Sequence, residues 1–542
     1  MKTLPVYRLA TPPHPGLGRV HDLATRLFSV ENYSLHETNG RQSLRSTTQT
    51  IEVDRESGAI WAADQAELWN PEAKPQLPND EEARRIADEF IRQNHLVSAA
   101  ERSDQFVVEP LGVAGSYVAT FDKHKKQRQD RQIDSRVSYG VRMLVKDPET
   151  GTSLRVPVIS GVGKQAVTLG HAGRVIAYSN TFRPIDAIET QAAYVPREVA
   201  DKQFKQLTSH LNIEGFDATL AYACAKSPNQ NQFLYPVWAY RARASVKGRE
   251  FPLRIITLPA TEFAPPSPPS ERRPKRTKRD IPRSLEVAGR RRGLLDVDPP
   301  YEAGASWIGK IGGLGGSEKN AQGFVDGLRN AGWKINFNWG DCNAWETDWH
   351  ENDDDYVDAA DFVFYTGHAG GDGWMLVNPG NCATDYLISP EVGASPENPG
   401  DIWGQQDLEW IIVAACGPLE DDILSKPGGG NVLQRWDGAF DGLHLLMGYG
   451  SVTFDNVEEG GRVVKYAREG QRLVDAWFRA AQEIQPSENG EQAPYGPKVY
   501  VGAMWANKSG QPSPVNDHLW GCGSVAPDPT PADGFTCMWV PC

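Results

Sequence analysis

Between Pro259 and Pro300 the chain carries a stretch that no globular core can absorb. It opens as a Pro/Ser run, FAPPSPPSE, and then turns basic, with ten Arg or Lys against three acids from Glu271 to Arg292. Sequence that is Pro-rich, charged and poor in aromatics reads as an extended linker. It divides the 542 residues into two bodies of opposite charge. Residues 301–542 hold 13 basic and 35 acidic side chains, a net of −22, and residues 1–300 hold the remaining 43 and 35, a net of +8. The length agrees, since single cores rarely grow past about 250–300 residues. Within the linker, KRTKR ending at Arg279 and GRRR ending at Arg292 are candidate processing sites for an Arg/Lys-directed protease. The plainer reading of the same run is a solvated spacer or a nuclear-localisation-like patch.

Composition narrows the class. Hydrophobic residues at 39% and 16 Trp suffice for real cores, which excludes wholesale disorder. No run approaches the roughly 18 apolar residues of a membrane helix. The start, MKTLPVYRLATPPHPGLG, lacks the apolar stretch of about 7–15 residues that marks a secretory signal. A cytoplasmic protein is expected, with non-classical export as the other route, and neither nucleic acid nor membrane as a partner. Seven Cys are too sparse for a disulfide scaffold. Cys522, Cys537 and Cys542 crowd the tail. With His518 they could supply four zinc ligands, but their spacing fits no standard zinc pattern, and a disulfide plus a free thiol serves as well.

Residues 1–78 form an N-terminal extension whose WAADQAELWN segment offers two packing Trp. Over 79–258 one pattern occurs twice. NDEEARRIADEFIRQNHLV (79–97) predicts a helix with an Asn79 or Asp80 N-cap and Ala83, Ile86, Ala87 and Phe90 on one stripe. Strands SYVATF and YGVRMLV follow. YVPREVADKQFKQLTSHL (194–211) predicts the second helix, with FLYPVWAYRARA and FPLRIITL as its strands. Between the copies, QAVTLGHAGRVIAYS reads as a hairpin turning at His171-Ala172-Gly173. This duplication resembles PepSY/FTP-type propeptide modules. The resemblance implies an inhibitory or chaperoning pro-region attached to a peptidase.

The second body, 301–542, alternates strands and helices. SWIGKIGG is a strand, SEKNAQGFVDGLRNAG a helix capped by Ser317 and stopped by Gly332, and WKINFNWG the next strand. DFVFYTG (361–367), EWIIVAAC (409–416) and LHLLMGYG (443–450) are short continuous apolar runs, as in strands buried on both faces of a parallel sheet. VVKYAREGQRLVDAWFRAAQEI reads as one long helix and KVYVGAMWA as a last strand. The order predicts an α/β/α sandwich with a mostly parallel central sheet.

Sites in open α/β sheets collect beyond the carboxyl ends of the strands. One buried run ends in Gly367-His368-Ala369-Gly370 and another in Cys416-Gly417-Pro418. If those strands are neighbours, an imidazole and a thiol emerge together, and the imidazole can generate the thiolate nucleophile. YTGH at 365–368 and IIVAAC at 411–416 resemble the signature of the caspase/gingipain/legumain cysteine peptidases. That resemblance implies a caspase-like sandwich, His368 as acid/base, Cys416 as nucleophile, and the backbone N–H groups of Ala369 and Cys416 as the oxyanion site. No cofactor is required. The family usually has Gly where this chain has Ala369, which questions the oxyanion geometry. Gly170-His171-Ala172-Gly173 repeats the same tetrapeptide in a hairpin setting, so the four letters alone carry little.

The −22 body suits a substrate with Arg or Lys at the cleavage site, with Asp441, Tyr449 and Asp455 as pocket candidates. Asp353, Asp355 and Asp358 lie in an acidic cluster with some character of a calcium site, but without the spacing or glycine of an EF-hand. A solvated acidic loop is the plainer reading. The expectation is therefore a zymogen-like cysteine endopeptidase acting on protein or peptide substrates, held latent by its own N-terminal region and linker. Two rivals stand beside it: a catalytically inactive binding or surface protein on the same fold, whose 13 Trp in 301–542 could line a groove, and a peptide ligase or transpeptidase using the same dyad.

Overall fold

A computed structural model describes residues 2–10, 17–28, 33–38, 40–55, 57–96, 104–224, 232–264, 300–393, 402–424, 430–491 and 497–542. The linker, with Arg279 and Arg292, lies outside the described residues.

The expected mostly parallel α/β/α sandwich with a separate PepSY-like α+β region is not what this chain forms. Strand outweighs helix, at 42% against 22%, and the sheets are mixed or antiparallel. The largest has 16 strands and runs through both halves of the chain. At one end, Lys334–Gly340, Glu302–Trp307, Phe362–Thr366, Trp410–Ala414 and Leu445–Tyr449 pair in parallel, in that order. Tyr500–Asn507 and Gly534–Pro541 then continue antiparallel, and Gly534–Pro541 pairs with Phe106–Asp122 of the N-terminal half. From there the antiparallel order runs on through Gln127–Lys146 to Ser34–Thr38.

The error has a physical cause. A continuous apolar run reports burial on both faces, which parallel strands require but antiparallel strands can share. Gly534–Pro541 is buried along its whole length yet runs antiparallel to both neighbours. The layers differ from a sandwich too. Phe362, Phe364, Trp410 and Ile412 face Phe324, Trp477 and Phe478, so the helices Ser317–Arg329, Glu459–Arg468 and Leu473–Ile484 cover that face. Val363, Tyr365, Ile411 and Val413 point the other way, into a core shared with Trp349, Trp374, Trp403 and Trp436. That side is covered by a three-stranded antiparallel sheet, Ala369–Gly370, Gly373–Val377 and Thr384–Ile388, together with the short helix Val432–Trp436. Trp374, Trp403 and Trp436 stack on one another, Trp349 meets Trp374 and Trp403 edge-on, and all four are fully buried, so they form core instead of lining a groove.

In the N-terminal half both expected helices form, as Asp80–Gln93 and Arg197–Leu207. Asn79 caps the first, its side chain accepting the Glu82 amide at 2.9 Å. The strands after the first helix join the long sheet, whereas Asn212–Ala223 and Phe233–Val246 after the second build a six-stranded sheet with Thr3–Leu9 and Ile185–Ala193. The copies therefore belong to different sheets.

Other elements shift. Ser317 begins its helix and does not cap it; Gly316 holds the cap position. The long C-terminal helix is two, Glu459–Arg468 and Leu473–Ile484. The disulfide is Cys342–Cys382, while Cys522, Cys537 and Cys542 are free. Cys537 and Cys542 pack on opposite faces of the terminal strand, so they cannot share a zinc ion or a bridge. Among the described residues no helix is long and apolar enough to cross a membrane, which says nothing of a β-barrel.

Candidate functional site

Strands Phe362–Thr366 and Trp410–Ala414 stand side by side, with Thr366 opposite Ala414. His368 and Cys416 each follow two residues later, so they leave adjacent strands at one sheet edge. The two loops meet at Gly417. Its φ is +78°, and a Cβ there would stand 3.3 Å from the Gly370 carbonyl carbon, so both the conformation and the close approach ask for glycine. Ala369 stays out of the left-handed region, so its methyl imposes no backbone strain. Ala172, in the other copy of the tetrapeptide, has φ 54° within a turn between Lys164–Leu169 and Val175–Asn180.

Neither His368 nor Cys416 reaches solvent. His368 Nε2 lies 2.8 Å from the Gly312 carbonyl oxygen, an arrangement that puts the proton on Nε2. Nδ1 accepts from the backbone N–H of Arg254 at 3.1 Å. Burial pushes the imidazole down to about 4, so the ring is neutral and its lone pair is already engaged. Cys416 Sγ accepts from the Thr453 N–H at 3.3 Å and lies 3.6 Å from Thr453 Oγ1. Burial pushes this thiol up to about 11, leaving about one thiolate in 10⁴ at neutral pH. In this arrangement both groups are predominantly neutral near pH 7.

The group capping His368 comes from a segment expected to be one strand. FPLRIITL instead divides into Arg249–Pro252 and Ile256–Pro259, both paired with Phe233–Val246. Arg254 and Ile255 step out between them, while the Leu253 N–H still donates to the Ala242 carbonyl at 2.9 Å. The Ile255 N–H donates to the Thr453 carbonyl at 2.8 Å, and the Asp455 N–H donates to the Ile255 carbonyl at 3.2 Å. These residues thus lie along 453–455 in a short parallel bridge, and Ile255 packs in the same apolar cluster as Cys416.

The Arg254 side chain turns inward and is fully buried. Nη1 donates to Thr366 Oγ1 at 2.9 Å and to the Ala414 carbonyl at 2.7 Å. Nη2 donates to the Phe454 carbonyl at 2.7 Å and to Glu459 Oε2 at 3.2 Å. Glu459 in turn accepts from the Tyr449 hydroxyl at 2.6 Å, from Gln485 Nε2 at 2.7 Å and from Asn320 Nδ2 at 3.1 Å.

Of the pocket residues expected from sequence, Tyr449 therefore reaches this network through Glu459. Asp455 lies beside it, its carboxylate accepting the Gly315 and Gly316 amides at 3.0 and 2.9 Å. Asp441 does not join them. It precedes Leu445–Tyr449, at the amino end of that strand, and holds the Thr530 hydroxyl. Arg254, Glu459, Asn320, Gln485 and Thr453 escaped the sequence reading. The one available signal was an arginine inside an otherwise apolar run, Leu253-Arg254-Ile255-Ile256, since a charge among such neighbours must find a buried partner.

The acidic cluster gathers Asp353, Asp354 and Asp358, with one ligand atom of each within 4.8 Å of the others; Asp355 is not among them. Asp358 already accepts the Gly404 and Gln406 amides. Burial pushes its carboxyl up to about 8.

Residues 305–540 match the family model described as Domain of unknown function (DUF6345). The span includes His368, Cys416 and Glu459 and stops short of Arg254. No curated protein matches the chain. A similar solved structure is the crystal structure of an uncharacterized protein from Eubacterium rectale ATCC 33656. It shows 12% identity, covers 49% of this chain and 85% of its own, and superposes with a TM-score of 0.27.

Proposed function

We propose that this chain is a latent cysteine peptidase, with Cys416 as nucleophile and His368 as acid/base, and that the arrangement described above is its covered state. One observation carries the reading. The dyad is closed by a single chain segment, Leu253–Ile255, whose consecutive amides land on His368 and on Thr453 beside Cys416. A peptide lying along residues 453–455 would use the same bonds.

With that segment lifted and water admitted, both perturbations that keep the pair neutral relax. His368 Nδ1 regains its lone pair and takes the Cys416 proton. The thiolate attacks a peptide carbonyl carbon, and the oxyanion is held by the Ala369 and Cys416 amides. Collapse breaks the C–N bond, the imidazolium returns its proton to the leaving amine, and a thioester remains on Cys416. Water releases the acid; an amine would give ligation from the same intermediate. No cofactor enters these steps.

The full burial of both side chains favours a second reading, a non-catalytic binding protein. An electrophilic peptide label separates the two. Peptide mapping should find it on Cys416 of an Arg254→Ala chain, whose covering segment has lost its anchor, with little on wild type and little on Arg254→Ala that also carries His368→Ala. An Arg254→Ala chain that folds, takes no label and cleaves no peptide ends the peptidase reading and leaves the binding one.

A further inference from the structure

Arg254 is held in a way that exceeds what a buried counter-charge needs. One carboxylate would neutralise it. Here acceptors surround both terminal nitrogens: the Thr366 hydroxyl and Ala414 carbonyl at Nη1, the Phe454 carbonyl and Glu459 at Nη2. That is the fixed fork of a guanidinium, which a compact ammonium does not match. The surroundings are themselves rigid. Glu459 is gripped by Tyr449, Gln485 and Asn320. Gln485 closes on both backbone groups of Phe454, accepting its N–H at 2.9 Å and donating to its carbonyl at 3.0 Å. Asn320 accepts the Gly460 amide at 2.6 Å.

All of these groups lie beyond residue 300; only the guanidinium comes from the N-terminal half. The receptor is thus complete without its occupant. It also stands at the dyad. Thr366 and Ala414 close the two strands that lead to His368 and Cys416, and the backbone N–H of Arg254 itself caps His368.

We propose that Glu459, Thr366, Ala414 and Phe454 form a guanidinium-binding pocket that Arg254 fills from within the chain. When Leu253–Ile255 lifts, the same pocket takes the arginine side chain of a peptide. The peptide half of this statement rests on the peptidase reading; the pocket does not. Lysine would reach Glu459 but leave the acceptors at Thr366 and Ala414 unmatched.

The test uses the full chain carrying Arg254→Ala, titrated with N-acetyl-arginine amide and N-acetyl-lysine amide by calorimetry and thermal shift. The arginine compound should bind saturably and raise the melting temperature, and the lysine compound should bind at least about tenfold more weakly. Wild type should bind neither, and Glu459→Gln added to Arg254→Ala should abolish the response. A folded Arg254→Ala chain indifferent to the arginine compound overturns the pocket, and equal affinity for both compounds overturns its selectivity. Should Arg254→Ala not fold alone, refolding beside each compound reads the same question. Recovery with the arginine compound only supports the pocket; recovery with neither overturns it. None of these readouts needs a reactive Cys416. Conversely, an Arg254→Ala chain that hydrolyses peptides without preferring arginine overturns this inference while leaving the peptidase reading intact.

Discussion

At the scale of single residues, the site is defined by charges that are withheld. His368 ionises near 4 in the folded chain, against 6.5 for the free group, because burial disfavours the imidazolium. Between those values the unfolded chain binds a proton that the native chain refuses. This contribution to stability is complete above pH 6.5 and is lost as pH falls toward 4. Wild type should therefore lose about 3 kcal/mol relative to His368→Gln across that window, measured by urea unfolding at several pH values. An equal acid limb in both chains would contradict it. His368 and Cys416 were legible in sequence because each terminates an apolar run. Arg254 was not. Its partners lie 114 residues away at His368 and 205 away at Glu459, and periodicity carries no information at that range.

Among the elements, the pocket depends on how two helices cross. Glu459–Arg468 meets Ser317–Arg329 through glycines. A Cβ on Gly460 would stand 2.3 Å from the Asn320 carbonyl oxygen, and one on Gly323 would stand 3.1 Å from the Gly461 amide. Backbones this close bring Asn320 to Glu459. Gly460→Val should cost about 2 kcal/mol by overpacking and displace Asn320, so its denaturation midpoint should fall, and the response of Arg254→Ala to the arginine compound should weaken. An unchanged midpoint would show that the crossing has slack. Sequence pattern placed both helices but joined the second to its neighbour, Leu473–Ile484. The Gly470 turn, with φ +83°, ends the first helix, and apolar residues on either side of a short break keep a common period.

For the whole molecule, the charge split noted in the sequence becomes contact. Arg128 meets Asp421 at 2.6 Å, Arg249 meets Asp372 at 2.8 Å, and Arg142 meets Glu488 at 3.5 Å. Basic residues of the N-terminal half thus face acids of the C-terminal half. The expected latch, a basic linker lying across the acidic body, falls on undescribed residues; the contact over the dyad is made by residues 253–255. Because one sheet passes between the halves, with Gly534–Trp539 opposite Asp122–Tyr117, cutting the linker should not release them. After trypsin cleavage between Arg272 and Arg292, the two pieces should co-elute on size exclusion in neutral buffer and part only in denaturant. Separation in buffer alone would refute the shared sheet as the joining element.

Local order decided what could be read from the sequence alone: the helices at 80–93 and 197–207, the apolar strands, the placing of His368 and Cys416 just beyond their ends, and the opposed charges of the two halves. Each follows from side-chain period, capping or composition within a few turns of chain. Only the tertiary structure decided strand direction, the sharing of one sheet by both halves, and the burial of Arg254 against Glu459. Burial on both faces is compatible with either strand direction, and a buried charge identifies its partner only once the chain has brought the two together.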